Sequence, residues 1–107
     1  MRVSECMLQG VLLIKPGVFE DSRGFFTEAR NIEKHYENAV PAKFVQDHLS
    51  FSKMGVLRGL HFQNPHPQGK LVCVLDGEVY DVVVDLRENS PTFGQWLNTI
   101  LSSRNNL

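Results

Sequence analysis

Short apolar runs of four to nine residues alternate with glycine, proline, aspartate and asparagine along most of this chain. Runs of this length are typical of β-strands, and the residues between them are typical of turns. Because many short strands with frequent turns are characteristic of sandwiches and barrels, the pattern predicts an all-β fold. The predicted strands are Gly10–Ile14, Phe25–Glu28, Lys43–Gln46, Val56–Phe62, Leu71–Leu75 and Glu78–Leu86.

The pair Asp76-Gly77 separates the last two runs and predicts a tight hairpin between them. A type I′ turn needs positive φ at both central residues, which Asp-Gly supplies. Within Glu78–Leu86, alternation places Tyr80, Val82, Val84 and Leu86 on one face, and this even-numbered face is predicted to be the drier one.

The rest of the chain gives weaker signals. Residues 31–38 have few apolar positions and no strong cap, so they predict an irregular segment or one to two helical turns. The polar tail LSSRNNL lacks a strand pattern. A single domain over residues 1–107 is expected, with sheet edges that a partner subunit would cover, since so short a chain buries a small share of its surface.

Composition excludes several classes of partner. The formal net charge is −1 and the charges are interspersed, which argues against a nucleic-acid or anionic membrane surface. The run Val11–Ile14 is too short for a signal-peptide core or a membrane span, so a cytoplasmic protein is expected. Cys6 and Cys73 lack CxxC spacing and are expected to be free thiols.

The run GVLRGLHFQNPHPQGKLV, from Gly55 to Val72, concentrates cations and imidazoles in an apolar stretch. Such groups are costly to bury, so Arg58, His61 and Lys70 suggest a site, although a lone strand histidine is commonly a hydrogen-bonded core residue. Arg58 and His61 would face opposite sides of a straight strand. A bulge at Gly59 would bring them to one pocket.

Six motifs follow one another from about Lys15 onward: F-x-D-x-RGFF-x-E (Phe19–Glu28), FVQD followed by S-x-S (Phe44–Ser52), GVLRGLHFQ (Gly55–Gln63), PQGKLV (Pro67–Val72), G-x-V-x-DVVVDLR (Gly77–Arg87) and SPTFG-x-W (Ser90–Trp96). In this order they resemble the dTDP-4-dehydrorhamnose 3,5-epimerase family, the dTDP-6-deoxy-4-ketohexose epimerases. The resemblance implies a cupin-type β jelly roll, incomplete at its C-terminus here, that works as a homodimer with exchanged strands.

The resemblance also implies an activity: epimerisation at C3 and C5 of dTDP-4-dehydro-6-deoxy-D-glucose, in dTDP-rhamnose synthesis for surface polysaccharides. Removing a proton next to a ketone needs a base and a group that stabilises the enolate. His61 matches the base, since an imidazole titrates near neutral pH. Lys70 matches the cation beside the carbonyl oxygen, although a lysine next to a glycine turn is more commonly just solvated.

The family's substrate-binding positions match Arg23, Phe26, Glu28, Gln46, Asp47, His48 and Arg58. Arg23 and Arg58 offer planar forks to diphosphate oxygens. Phe25 or Phe26 can stack a base, while core packing is at least as plausible for one of them. His48 stands where the family usually carries an asparagine, which predicts weaker or altered nucleotide binding.

The sequence also offers a possible metal site. Gly55, His61 and Gly77 fit the cupin frame G-x5-H-x-H with a following E-x6-G, but Gln63 and Lys70 replace two ligands, so neither metal nor cofactor is expected. His66, in a proline-flanked loop, is expected to face solvent or a neighbour.

The family sequence is expected to continue beyond the equivalent of Leu107 and to supply a tyrosine acid, a second histidine and the carboxylate that orients the base. Tyr36 and Tyr80 do not match that tyrosine, and Asp81 or Asp85 would replace the carboxylate only after rearrangement. The alternatives are a non-catalytic nucleotide-sugar binding domain and a related 3-epimerase or ketoisomerase.

Overall fold

The computed structural model describes residues 1–40 and 43–107, which form two compact units. The strand unit comprises residues 1–40 and 72–107, and the extended unit comprises residues 43–71. In neither described range is there a helix long and apolar enough to cross a membrane.

The strand unit contains three antiparallel two-stranded ribbons: β1 (Arg2–Glu5) with β2 (Leu12–Lys15), β3 (Val18–Asp21) with β4 (Gly24–Thr27), and β5 (Glu78–Val84) with β6 (Trp96–Ser102). The all-β prediction is confirmed. Strands β2, β4 and β5 fall on predicted runs, whereas β1, β3 and β6 were not predicted. The prediction that the tail LSSRNNL has no strand was wrong at its first two residues, Leu101 and Ser102, which end β6.

One short helix, α1 (Ile32–Glu37), follows β4, which agrees with the predicted one to two turns. The expectation that this segment lacks a strong cap was wrong. Asn31 is the N-cap, and its side-chain oxygen accepts a hydrogen bond from the backbone N–H of Lys34 at 3.1 Å. Asparagine is among the best N-cap residues because it satisfies an otherwise unpaired backbone donor.

The hairpin predicted at Asp76-Gly77 is wrong. Strand β5 pairs with β6, starting from Glu78 opposite Ser102, and residues 71–75 form no strand. Gly77 has a φ of +80°, but Asp76 has no positive φ, so the pair does not form a type I′ turn. The carbonyl of Gly77 instead accepts a hydrogen bond from the N–H of Ser103, just beyond β6.

The predicted drier face of β5 is also wrong. Tyr80 and Leu86, on the even-numbered face, are each more than half exposed, while Asp85, on the odd-numbered face, is buried. A two-stranded ribbon has no second layer of its own to dry either face. Asp85 is buried because its hydrogen-bond partners surround it.

The extended unit carries no helix or strand in its described residues, so the strands predicted at Lys43–Gln46 and Val56–Phe62 are wrong. An apolar run becomes a strand only where a second strand accepts its backbone hydrogen bonds. The apolar side chains of this unit are exposed to solvent. More than four-fifths of the surface is exposed at each of Val45, Leu49, Phe51 and Leu57.

The buried positions of the strand unit are few. Leu8, Val40 and Leu101 are its buried apolar residues among those described. A long-range hydrogen bond joins two of its parts, since Arg87 Nη2 donates to the carbonyl of Gln9 at 2.9 Å. This bond ties the end of β5 to the loop between β1 and β2, beside Leu8.

Candidate functional site

The turn between β3 and β4 presents Arg23, one of the predicted binding residues. Asp21 pairs with Gly24, so Ser22 and Arg23 form the two-residue connection, and Gly24 has a φ of +130°, a conformation that favours glycine. The Arg23 side chain is 87% exposed. A cation at the tip of a short hairpin is well placed to meet a ligand from solvent.

Asp21 holds the Arg23 guanidinium in place. One carboxylate oxygen accepts from the Arg23 backbone N–H at 2.8 Å, and the other accepts from Nη2 at 2.6 Å, with Nε contacting both at 3.2 to 3.3 Å. These bonds lower the pKa of Asp21 and raise that of Arg23. Both groups are therefore charged over the whole physiological pH range.

Aromatic rings lie beside this ion pair. Phe19 stands directly opposite Phe26, and Phe25 stands opposite Glu20, so the ring pair Phe19–Phe26 shares one face of the ribbon. Each of the three phenylalanines is more than three-fifths exposed, so packing of Phe25 or Phe26 into a core is not seen. An open concavity of about 500 Å³ is lined by Phe19, Glu20, Asp21, Arg23, Gly24, Phe25 and Phe26.

Phe19 begins the motif Phe19–Glu28 but is not among the predicted binding residues. The sequence did contain the signal: a two-residue turn at Ser22-Arg23 sets the register in which Phe19 and Phe26 face each other.

Glu28, which follows β4, is held by helix α1. Its carboxylate accepts hydrogen bonds from Asn31 Nδ2 at 2.8 Å and Lys34 Nζ at 2.5 Å. The bond from Asn31 and then the bond from Lys34 lower the pKa of Glu28, so it is an anionic acceptor. The short helix thus fixes the orientation of a predicted binding carboxylate.

The other predicted site residues lie in the extended unit, and all of them are exposed: Gln46, Asp47, His48, Arg58, His61 and Lys70. Arg58 is held locally, since Nε donates to Ser52 Oγ at 3.0 Å and Nη2 donates to the Phe51 carbonyl at 3.2 Å. Within residues 43–71, neither His61 nor Lys70 makes a side-chain hydrogen bond.

The bulge predicted at Gly59 has no paired strand on which to form. Gly59 does have a φ of +123°, so the position requires glycine for another reason, the direction of an unpaired chain. His66 is exposed, in agreement with its predicted loop position.

Asp81, in β5, and Asp85, just after it, differ in how far their carboxylates are engaged by other groups. Asp85 is fully engaged by Arg87, Ser90 and Thr92, which together hold its pKa far below the usual range. It is therefore committed to structure. Asp81 is half-buried opposite Thr99, and burial raises its pKa. An acidic residue inside an apolar strand was the sequence signal for this second group.

Among the residues that the structure describes, no cluster of three or more His, Cys, Asp or Glu side chains is arranged to hold a metal ion. Cys6 and Cys73 are free thiols.

Comparison with known proteins extends these observations. The family model described as dTDP-4-dehydrorhamnose 3,5-epimerase matches residues 5–107. The enzyme of that name from Shigella flexneri is 52% identical over 108 residues, covering 98% of this chain and 59% of the relative. The one from Methanothermobacter thermautotrophicus is 50% identical over 104 residues, covering 97% and 56%. This chain thus spans somewhat over half the length of these relatives.

Solved structures give the same result. The chain is similar to dTDP-4-dehydrorhamnose 3,5-epimerase from Bacillus anthracis, with TDP and PPi bound, at a TM-score of 0.93 and 47% identity over 98% of this chain and 61% of that one. It is also similar to dTDP-6-deoxy-D-glucose-3,5-epimerase from Legionella pneumophila in complex with dTDP-4-keto-L-rhamnose, at a TM-score of 0.92 and 46% identity over 98% and 56%.

These neighbours have a cupin-like jelly-roll fold, so the predicted fold class is confirmed. With a family model covering residues 5–107 and several relatives near 50% identity, this chain belongs to the dTDP-4-dehydrorhamnose 3,5-epimerase family.

Proposed function

We propose that this chain carries part of the active site of an enzyme that epimerises dTDP-4-dehydro-6-deoxy-D-glucose at C3 and C5, giving dTDP-4-dehydro-L-rhamnose for surface polysaccharides. The observation that carries the proposal is the family match over residues 5–107, which includes every predicted site residue. TDP and dTDP-4-keto-L-rhamnose, bound to two similar structures, are ligands of the chemistry proposed.

In this proposal His61 removes the proton on the carbon next to the keto group. An imidazole suits this step because it can both accept and release a proton near neutral pH. Negative charge then develops on the former carbonyl oxygen of the enolate, and the Lys70 ammonium stabilises this charge. Return of a proton to the opposite face of the carbon inverts the centre.

The proposed contacts to the nucleotide come from charged and aromatic groups. Arg23 and Arg58 pair with diphosphate oxygens, Glu28 accepts a hydrogen bond from the nucleotide, and Phe26 stacks with the base. Gln46, Asp47 and His48 complete the set. Support comes from the orientation of these groups: Asp21 fixes Arg23, Ser52 fixes Arg58, and Asn31 with Lys34 fixes Glu28.

The proposal includes a homodimer. The extended unit exposes Val45, Leu49, Phe51 and Leu57, and large apolar side chains open to water in this number mark an interaction surface. A second copy with exchanged strands would supply the missing backbone partners. We further propose that residues 1–107 belong to one cytoplasmic epimerase domain.

The test is proton NMR of dTDP-4-keto-6-deoxyglucose incubated with the 107-residue protein in D2O. Loss of the C3 and C5 proton signals through exchange with solvent is expected, and His61→Asn is expected to abolish it. His66→Asn, an exposed histidine of the same unit, is the matched control and should leave exchange intact.

Other outcomes separate the alternatives. Exchange at C3 alone would identify a 3-epimerase. Ligand line broadening without exchange would identify a nucleotide-sugar binding domain without catalysis. The absence of both effects would refute the proposal for this chain.

A further inference from the structure

We infer that Asp21 is a positioning residue for a diphosphate ligand, because it fixes the Arg23 guanidinium with one donor edge open to solvent. The inference rests on the proposed function, in which Arg23 contacts the diphosphate. Asp21 itself would not touch the ligand.

The geometry supports this assignment. Asp21 engages the Nε and Nη2 side of the guanidinium together with the Arg23 backbone N–H. Nη1 of Arg23 has no hydrogen-bond partner among the described residues. A guanidinium has donors on two edges, so the edge that Asp21 leaves open can meet phosphate oxygens.

The exposure of the pair argues that its purpose is orientation. The side chains of Arg23 and Asp21 are 87% and 50% exposed, and ion pairs this open to water add little to the stability of a fold. A free arginine has many rotamers, however, and each must be given up when a ligand binds. A bond that fixes the rotamer beforehand removes that cost from binding.

The charge of Asp21 and its hold on Arg23 have opposite expected effects on diphosphate binding, which makes the inference testable. A carboxylate near a diphosphate repels it, so removal of the Asp21 charge strengthens binding if only the electrostatic field matters. If Asp21 acts by holding Arg23, its removal weakens binding instead.

The test is isothermal titration calorimetry of the full chain with TDP, which measures the Kd. Asp21→Asn keeps an oxygen that can accept from the Arg23 backbone N–H, but it replaces one guanidinium acceptor by an amide donor. We expect the Kd for TDP to rise about three- to fivefold, the change that an exposed charge-assisted pair is worth. The melting midpoint should not change.

The matched control is Asp76→Asn. Asp76 is exposed and has no ion pair among the described residues, and its substitution changes the net charge by the same amount. The Kd for TDP of this variant should not rise. A Kd that is unchanged or lower in Asp21→Asn would overturn the inference.

Arg23→Ala separates this inference from the proposed function. If Arg23→Ala weakens TDP binding and Asp21→Asn does not, the inference alone fails. If Arg23→Ala has no effect, or the unsubstituted chain binds no TDP, the proposed function fails and the inference with it. In the Arg23→Ala background no guanidinium is left to position, so Asp21→Asn should leave the Kd for TDP unchanged or lower it, and an equal further rise would show a general structural role and refute positioning.

Discussion

The sequence D-x-R occurs twice in this chain, and both copies make the same local contacts. In Asp21-Ser22-Arg23 and in Asp85-Leu86-Arg87, the arginine backbone N–H donates to the aspartate, at 2.8 and 3.0 Å. In both, Nη2 also donates to the second carboxylate oxygen, at 2.6 and 2.8 Å. The same D-x-R spacing is thus accompanied by the same contacts at both places.

The surroundings of the two pairs differ. The Asp21 carboxylate is 50% exposed, whereas that of Asp85 is 2% exposed and also accepts hydrogen bonds from Ser90 and Thr92. Arg87 in turn reaches the Gln9 carbonyl, 78 residues away in sequence. The same motif thus forms a buried structural pair at Asp85 and an exposed pair at Asp21.

Removal of the buried carboxylate should have the largest effect. Asp85→Ala leaves the part-buried donors of Arg87, Ser90 and Thr92 without their acceptor, and donors partly shielded from water are costly to leave unpaired. We expect the melting midpoint, followed by circular dichroism, to fall by about 10 °C. Asp21→Ala should change it by about 2 °C or less. Equal losses would contradict the comparison.

The acid side of the stability curve should depend on Asp85 in the same way. Since hydrogen bonds hold its folded pKa far below the unfolded value, its stabilising effect is complete above the unfolded pKa and is lost as the pH falls. The free energy of unfolding in urea should therefore decrease below about pH 4. Asp85→Asn should flatten that decrease, and Asp76→Asn should not.

Arg23 should matter for binding and not for folding. We expect Arg23→Ala to raise the Kd for TDP about tenfold, because it removes the charge-assisted contact to a phosphate that we propose for Arg23. Its melting midpoint should match that of the unsubstituted protein. Arg87→Ala should lower the midpoint through the loss of the Asp85 and Gln9 contacts. If Arg23→Ala instead lowers the midpoint as much as Arg87→Ala, the two pairs have the same role.

The smallest change in stability is expected from the loss of one hydroxyl that contacts Asp85. Thr92→Val removes the 2.7 Å hydrogen bond to Asp85 and the 3.0 Å hydrogen bond with Ser90 Oγ but keeps the shape of the side chain. Other donors remain, so differential scanning calorimetry should show a fall of about 3 to 5 °C. Thr27→Val, which loses only an exposed bond to the Gly17 carbonyl, is the control and should change less.

The apolar pattern along the chain predicted some of the strands but could not show which strands pair. The runs at Gly10–Ile14, Phe25–Glu28 and Glu78–Leu86 became β2, β4 and β5, since apolar patterning favours an extended chain. The same patterning wrongly predicted strands at Lys43–Gln46 and Val56–Phe62. A strand also needs a second strand for its backbone hydrogen bonds, and apolar patterning does not identify that strand. The hairpin at Asp76-Gly77 failed for the same reason, since β5 pairs with β6 instead.

The candidate site shows the same division. Arg23, Phe26 and Glu28 were predicted from motifs, and the structure adds what holds or accompanies them: Asp21, Phe19, and Asn31 with Lys34. A turn register or a helix cap brings these neighbours together, and their side chains must be placed before the contacts can be seen.

By itself, the sequence determined the family, through six motifs in order, and the all-β class, through short runs between turn residues. It also placed an aspartate and an arginine two residues apart in both D-x-R segments, within reach of each other. Only the tertiary structure decided that Asp85 is buried and Asp21 is open. The free energy of a charged pair depends on the water and the donors around it, and residues distant in sequence supply or exclude both.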